Sequence, residues 1–194
     1  MDAFAALIKE LDQSTGTKRK IDLIAGHLQQ ANEHDAAWSV LLLMGERRKR
    51  LITGRRLREI LQQASAMPDW LFDDCQSHVG DSAETLSLLW PQLKSDIGGG
   101  IHNPSVTIWI NQLGHSPPMH WWMEQLLPAV AAMEAEEQSS TVLAIWEALP
   151  HDRLFLFNKL LTGGFRIGVA RGLVVKAIAT GFNLEEALVL ERLM

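Results

Sequence analysis

The chain has 194 residues, 47% of them apolar, with a net charge of −5, one cysteine, seven tryptophans and no tyrosine. That length and apolar content suit one helical domain, or two small subdomains around a shared core, and the lone Cys75 excludes an intrachain disulfide framework and fits a reducing compartment. No apolar run approaches a membrane span and the first residues lack a signal-peptide pattern, so a soluble, cytoplasmic protein without a membrane partner is expected.

Apolar residues recur with helical spacing throughout. Phe4, Leu7, Ile8 and Leu11 form a first stripe, and Ile21, Ile24, Ala25 and Leu28 a second. Trp38, Leu41, Leu42 and Gly45 form a third. Thr53 is placed to cap a helix bearing Leu57, Ile60, Leu61 and Ala64. Pro68 starts a helix with Leu71, Phe72, Cys75 and Val79. Asp81 and Glu84 have capping-box spacing for a helix that Pro91 ends. The stretch 93–103, with Gly98-Gly99-Gly100, reads as a flexible junction, since no Gly-Lys-Ser/Thr follows it as a phosphate loop requires. Asn103-Pro104 opens a helix with Val106, Trp109, Ile110 and Leu113, closed by Gly114. Ser116-Pro117 opens the next, which Pro128 is expected to kink or break. Ser140 or Thr141 starts a helix with Leu143, Ile145, Trp146 and Leu149, and Asp152 one that ends at Gly163. A helix after Arg171 is ended by Gly181, and Asn183 with Glu186 forms a last capping box. No segment alternates with period two for long enough to suggest a sheet. The expected fold is all-α, a compact bundle of about 11–12 helices.

The charge is segregated. Residues 18–58 hold ten Lys/Arg against four Asp/Glu, residues 59–150 one against twelve, and residues 151–194 six against four. A polyanion senses local patches within roughly a Debye length, ~8–10 Å, so an acidic whole chain does not exclude nucleic acid. Two basic corners stand out. In Leu160 to Ala179 an apolar helix runs into Thr162-Gly163-Gly164, then Arg166, Gly168, Arg171 and a second apolar helix. Glycines allow positive φ and close backbone approach, and a guanidinium with free N–H groups at a helix start suits a phosphate backbone. The same sequence also serves an ordinary helix corner with Gly163 as its C-cap. The stretch from Leu41 through Gly45 to Arg47-Arg48 and Arg55-Arg56 weakly repeats it, which would put two basic helix–Gly–helix corners in one domain.

Other chemistry is thin. The seven histidines lack a zinc-ligand pattern and Cys75 has no partner. Ser77, His78 and Asp81 read as surface or capping residues rather than a triad. Trp38, Trp109 and Trp146 fall on apolar stripes and read as core, while one of Trp121-Trp122 is a candidate surface aromatic. No lysine lies in a Lys-x-Asp-Gly context.

Lys159-Leu-Leu-Thr-Gly-Gly-Phe-Arg166-Ile-Gly168-Val-Ala resembles the signature helix–turn–helix of the N-terminal DNA-binding domain of ATP-dependent DNA ligases. His78-Val-Gly-Asp81-Ser-Ala-Glu84-Thr-Leu86, leading to Leu89-Trp90-Pro91, resembles a second landmark of that group, and Phe4-Ala-Ala-Leu7 also fits. The nearest likeness is to bacterial ligases encoded beside a helicase and a nuclease. The resemblance covers nearly the whole chain. It implies one domain over 1–194 with approximate internal two-fold symmetry, which binds nicked double-stranded DNA through its phosphate backbone in repair or replication. It implies DNA contacts at Thr162, Gly163, Gly164, Arg166, Gly168 and Arg171; Arg47, Arg48, Arg55 and Arg56 are added from the charge pattern. It also implies a parent ligase that uses ATP and magnesium in nucleotidyltransferase and OB-fold domains. Those domains are not in this chain, which reads as an excised or truncated domain, without cofactor, metal or catalytic residues of its own and inactive alone. Its partners would be nicked DNA, those catalytic domains, and a helicase or nuclease. The main rival is a helical protein-interaction module with Trp121-Trp122 as an exposed anchor.

Overall fold

The computed structural model describes residues 1–45, 50–93, 107–163 and 169–193, and every regular element among them is helical. In chain order these are α1 (Asp2–Gln13), α2 (Thr17–Gln30), α3 (Glu33–Leu43), α4 (Gly54–Ser65), α5 (Asp69–Val79), α6 (Ser82–Leu93), α7 (Thr107–Leu113) and α8 (Met119–Trp121). A π-helical turn (Trp122–Leu126) follows, then α9 (Leu127–Ala132), α10 (Ala135–Ala148), α11 (His151–Thr162), α12 (Arg171–Phe182) and α13 (Glu186–Leu193). The all-α expectation holds.

The chain forms two compact units, each discontinuous in sequence. The first comprises Met1–Arg47, Pro118–His120 and Phe165–Met194. Its core takes Phe4, Leu7 and Leu11 from α1, Ile24, Ala25 and Leu28 from α2, and Val174, Val175, Ala177 and Ala179 from α12. α12 lies close along α2, where a Cβ added to Gly181 would come within 3.2 Å of the Ala25 Cβ. Gly181 is therefore a packing residue, not the expected helix end. The helix continues to Phe182 and stops on Asn183, whose φ of +52° is left-handed. Asn183 thus ends α12 instead of capping α13, whose Val189 N–H bonds back to the Glu185 carbonyl.

The second unit comprises Arg48–Pro117 and Trp121–Gly164. The expected 93–103 junction falls within its first stretch, mostly on residues outside the described ones. Its core holds Leu57, Ile60, Leu61, Phe72, Leu86, Trp122, Ile145, Phe157 and Leu161, each fully buried. Burial of side chains of this size stabilises by about 1.5–3 kcal/mol apiece relative to exposure. The expected caps form at two starts: Arg56 N–H donates to Thr53 Oγ1 at 3.0 Å, and Glu84 N–H to Asp81 Oδ1 at 3.0 Å.

Prolines and serines mislead in this unit. Pro91 lies inside α6, which runs on to Leu93, because losing one N–H near a helix end forfeits only one bond. Pro128 does not break its helix either. The preceding turn widens to the π form, with Leu127 N–H bonding to the Trp122 carbonyl, and α9 continues through the proline. α10 begins at Ala135, a turn before Ser140. The hydroxyls of Ser139 and Ser140 bond to the carbonyls of Ala135 and Glu137 within the helix rather than starting it.

Candidate nucleic-acid interface

α11 ends on Gly163 at φ +65°, as the sequence implies, and its last turn is held on three sides within the second unit. Asn158, fully buried, accepts the Trp146 indole N–H at 2.8 Å and lies 3.4 Å from Ser87 Oγ, which donates to the Ala83 carbonyl. Trp90 stacks obliquely on Trp146 at 5.3 Å and donates its own indole N–H to the Trp146 carbonyl. This closes a buried polar network across α6, α10 and α11, in which the matching partners avoid the penalty of an unpaired buried donor. Lys159 Nζ reaches Asp81 Oδ2 at 2.6 Å, with the lysine side chain only 14% exposed. The Leu161 carbonyl accepts two N–H groups, from Leu51 and Ile52, both at 3.0 Å. Thr162 turns its hydroxyl back onto the carbonyls of Asn158 and Lys159. Its proton is thereby used inside the helix.

α3 closes in the same manner, on Gly45 at φ +67°. Gly45 is exposed and ends the helix, so it is not part of the apolar stripe in which its spacing placed it. On the far side of that corner α4 begins with Arg55 and Arg56, which go to different places. Arg55 is 88% exposed and, among the described residues, reaches Glu59, one turn on, at 3.1 Å. Arg56 folds onto the start of α10. Its guanidinium donates to the Ala135 carbonyl at 2.5 Å and to Ser139 Oγ at 2.8 Å, with Gln138 at 3.3 Å, and only 22% of it is exposed. Arg56 is a structural tie; Arg55 is the cation presented to solvent.

Each unit has its own tie among the residues that flank these glycines. In the second, Leu51 and Ile52 beyond the first corner bond to Leu161 before the second. In the first, Arg171 at the head of α12 donates Nε–H to the Met44 carbonyl at 3.1 Å, beside Gly45. The electrostatics of the helix starts are also unusual. Helix N-termini favour acidic residues, and α1, α3, α5, α6, α10, α11 and α13 each carry at least one in the first turn. α2, α4, α7, α8, α9 and α12 carry none. α4 and α12 start instead with Arg55-Arg56 and Arg171, and α2 with Lys18-Arg19-Lys20, of which Arg19 is 3.5 Å from Glu10. α12 also has no side-chain cap, and a Cβ added to its Gly172 would meet nothing within 4 Å. Cations added to the positive end of a helix dipole destabilise the isolated helix and favour an anionic ligand.

Of the other predicted contacts, Arg47, Arg48, Gly164, Arg166 and Gly168 lie outside the described residues. In the acidic middle, Asp69 and Asp73 pair with Arg58, which lies 4.8 Å over the Phe72 ring, and hydrogen bonding to Asp73 raises the guanidinium further above its ordinary pKa. Ser77 and His78 both bond to the Asp74 carbonyl while Asp81 pairs with Lys159, so no triad forms. Among the described residues no group of three acids, histidines or cysteines is arranged to hold a metal, and no helix is long and apolar enough to cross a membrane. Trp121 and Trp122 are both buried, edge-on at 6.0 Å, so neither serves as a surface anchor; the exposed tryptophan is Trp70, at 68%.

The Lys159–Asp81 pair is the element that sequence reasoning missed. It joins the two stretches that carry the family resemblance, one residue from each. Nothing in a separation of 78 residues signals the contact. Residues 1–179 match the model of a protein family described as DNA ligase N terminus. A search of curated proteins gave no significant match.

Proposed function

The chain belongs to the DNA ligase N-terminal family, and on that premise we propose that it binds nicked double-stranded DNA through the phosphate backbone, without reading sequence. The observation that carries this is the pair of left-handed glycine corners, Gly45 and Gly163, leading toward helices α4 and α12 whose first turns hold arginine and no acid. Backbone N–H groups at such a helix start and an exposed guanidinium suit phosphate oxygens and carry no base information. Thr162, Gly163, Arg171 and Arg55 are the described residues assigned to this contact, and Gly164, Arg166, Gly168, Arg47 and Arg48 are assigned to it from the sequence alone. Arg56 supports the interface from behind.

The chain then serves as the DNA-gripping part of a ligase, beside nucleotidyltransferase and OB-fold domains that would use ATP and magnesium, in a cytoplasmic repair or replication setting that includes a helicase or nuclease. Lacking a Lys-x-Asp-Gly motif, it should not form a lysine–AMP adduct. Incubation with labelled ATP and magnesium should leave it unlabelled, and a labelled lysine would refute that assignment. The binding itself is tested by titrating nicked and intact duplexes of several sequences at stepped salt. Each phosphate neutralised contributes about −0.9 to the slope of log K against log salt. A steep negative slope with equal affinity across sequences is expected; no binding at low salt would overturn the proposal. The rival reading, a protein-interaction module, loses its proposed anchor with the burial of Trp121 and Trp122.

A further inference from the structure

We propose that Asp81 and Lys159 are positioning residues, which hold the Gly163 corner in its DNA-binding geometry without touching DNA. The inference rests on the DNA-binding reading above. Lys159 stands one turn before Gly163, on the basic side of the signature, and its charge makes it an obvious candidate for a phosphate contact. The structure gives it another task. Its ammonium is 2.6 Å from Asp81 Oδ2, its side chain is largely buried, and its stem passes the Phe155 ring, with Nζ 5.6 Å from the ring centre. The other Asp81 oxygen caps α6 through the Glu84 N–H. One carboxylate thus fixes both the start of α6 and the last turn of α11. That turn carries the Thr162 hydroxyl bond to the Lys159 carbonyl and the Leu161 carbonyl that accepts from Leu51 and Ile52. Releasing Lys159 removes one of the three holds on the turn on which Gly163 is mounted.

The sign of one measurement separates positioning from direct contact. Asp81→Asn keeps a good helix cap, since Asn caps as well as Asp, and deletes a negative charge close to a polyanion site. On electrostatics alone it should strengthen DNA binding, and all the more so if Lys159, once released, were to grip phosphate. Positioning requires the opposite. Asp81→Asn should weaken binding to a nicked duplex by roughly 3- to 10-fold, Lys159→Gln by a similar factor, and the double variant by no more than either alone, as for residues that act as one unit. Lys159→Arg, which preserves the ion pair, should restore most of the affinity. Binding is measured on the full chain well below its melting temperature, with thermal unfolding recorded beside it, so that lost folding does not pass for lost binding. If Asp81→Asn binds as tightly as the parent or tighter, the proposal is wrong. It is equally wrong if Lys159→Gln lowers the salt slope by about 1 while Asp81→Asn leaves affinity intact, since Lys159 is then itself a phosphate contact. Arg55→Ala serves as the reference. Should it and the parent chain show no salt-dependent DNA binding at all, the DNA-binding reading falls, and that result is distinct from a failure of positioning alone.

Discussion

The corner that closes α11 and the corner that closes α3 use the same backbone device and differ in what stands behind it. Behind Gly163 three residues of the last helical turn are tied to other helices or loops: Asn158 to Trp146 and Ser87, Lys159 to Asp81, Leu161 to Leu51 and Ile52. Behind Gly45 the support among the described residues is lighter. Ser39 bonds to the Asp35 carbonyl and to His27, and Met44 offers its carbonyl to Arg171. The charge is distributed in the opposite sense, since Arg47, Arg48, Lys49, Arg50, Arg55 and Arg56 all follow the α3 corner. One corner is rich in hydrogen bonds and the other in charge.

The largest effect should come from breaking the heavier support. Asn158→Ala removes the acceptor of a buried indole N–H and opens space in the core. A loss of about 2–4 kcal/mol is expected, or a melting temperature lower by roughly 5–12 °C for a chain of this size. Ser39→Ala, behind the other corner, should cost about 1 kcal/mol. Thermal unfolding followed by circular dichroism compares them directly. If the two variants melt together, the difference in backing has no energetic content.

Next come the glycines themselves. Gly45→Ala and Gly163→Ala each force a left-handed backbone on a residue with a Cβ, at about 1–2 kcal/mol. At Gly45 the cost is purely conformational, because an added Cβ meets nothing within 4 Å. Gly163→Ala should lose more affinity for nicked DNA than Gly45→Ala if geometry resides at that corner. Equal losses of affinity would erase the distinction.

How much of this was legible beforehand depends on the reach of each signal. Thr53 as a cap, the Asp81–Glu84 pair and Gly163 as a helix end act within four residues, and sequence spacing sufficed. Gly181 and Asn183 show the limit: only the closeness of Ala25 tells a packing glycine from a terminating one, and the stop passed to the next permissive residue. Pro128 needed a change of helix register that no pattern announces. Arg55 and Arg56 are neighbours of the same type, and their fates diverge because α10 lies on one side of α4. Lys159 and Asp81 each belonged to a recognised motif, but their meeting is a tertiary fact.

A smaller effect tests the charge-rich side. Arg55→Ala should lower the slope of log K against log salt by about 1 and leave the melting temperature unchanged, because an exposed pair with Glu59 contributes little to folding. Arg56→Ala should do the reverse: stability falls by about 1–2 kcal/mol through the lost bonds to Ala135 and Ser139, and the slope stays. If Arg56→Ala alters the slope instead, its guanidinium leaves α10 to meet DNA.

The smallest effect is an acid response confined to the α3 side. His27 packs against Phe4, with ring centres 5.9 Å apart, and contacts Ser39 at 2.9 Å. Since Ser39 gives its own proton to the Asp35 carbonyl, His27 must be the donor, through Nε2–H. Burial lowers the His27 pKa below its ordinary 6.5; the Asp35 charge opposes this and the N-terminal ammonium adds to it. The folded chain therefore binds fewer protons than the unfolded chain just below pH 6.5. The contribution to stability is complete above that value and is lost as the pH falls from it through the lower folded value. His27→Gln keeps a donor for Ser39 and removes the titration. The melting temperature of the parent chain should then fall more between pH 7 and pH 5.5 than that of the variant. An Asp81→Asn background, which alters the hold on the α11 corner and leaves the His27 surroundings untouched, should keep the difference between parent and His27→Gln intact. Parallel pH curves for the parent and His27→Gln would show that His27 is not the group through which acid loosens the α3 side.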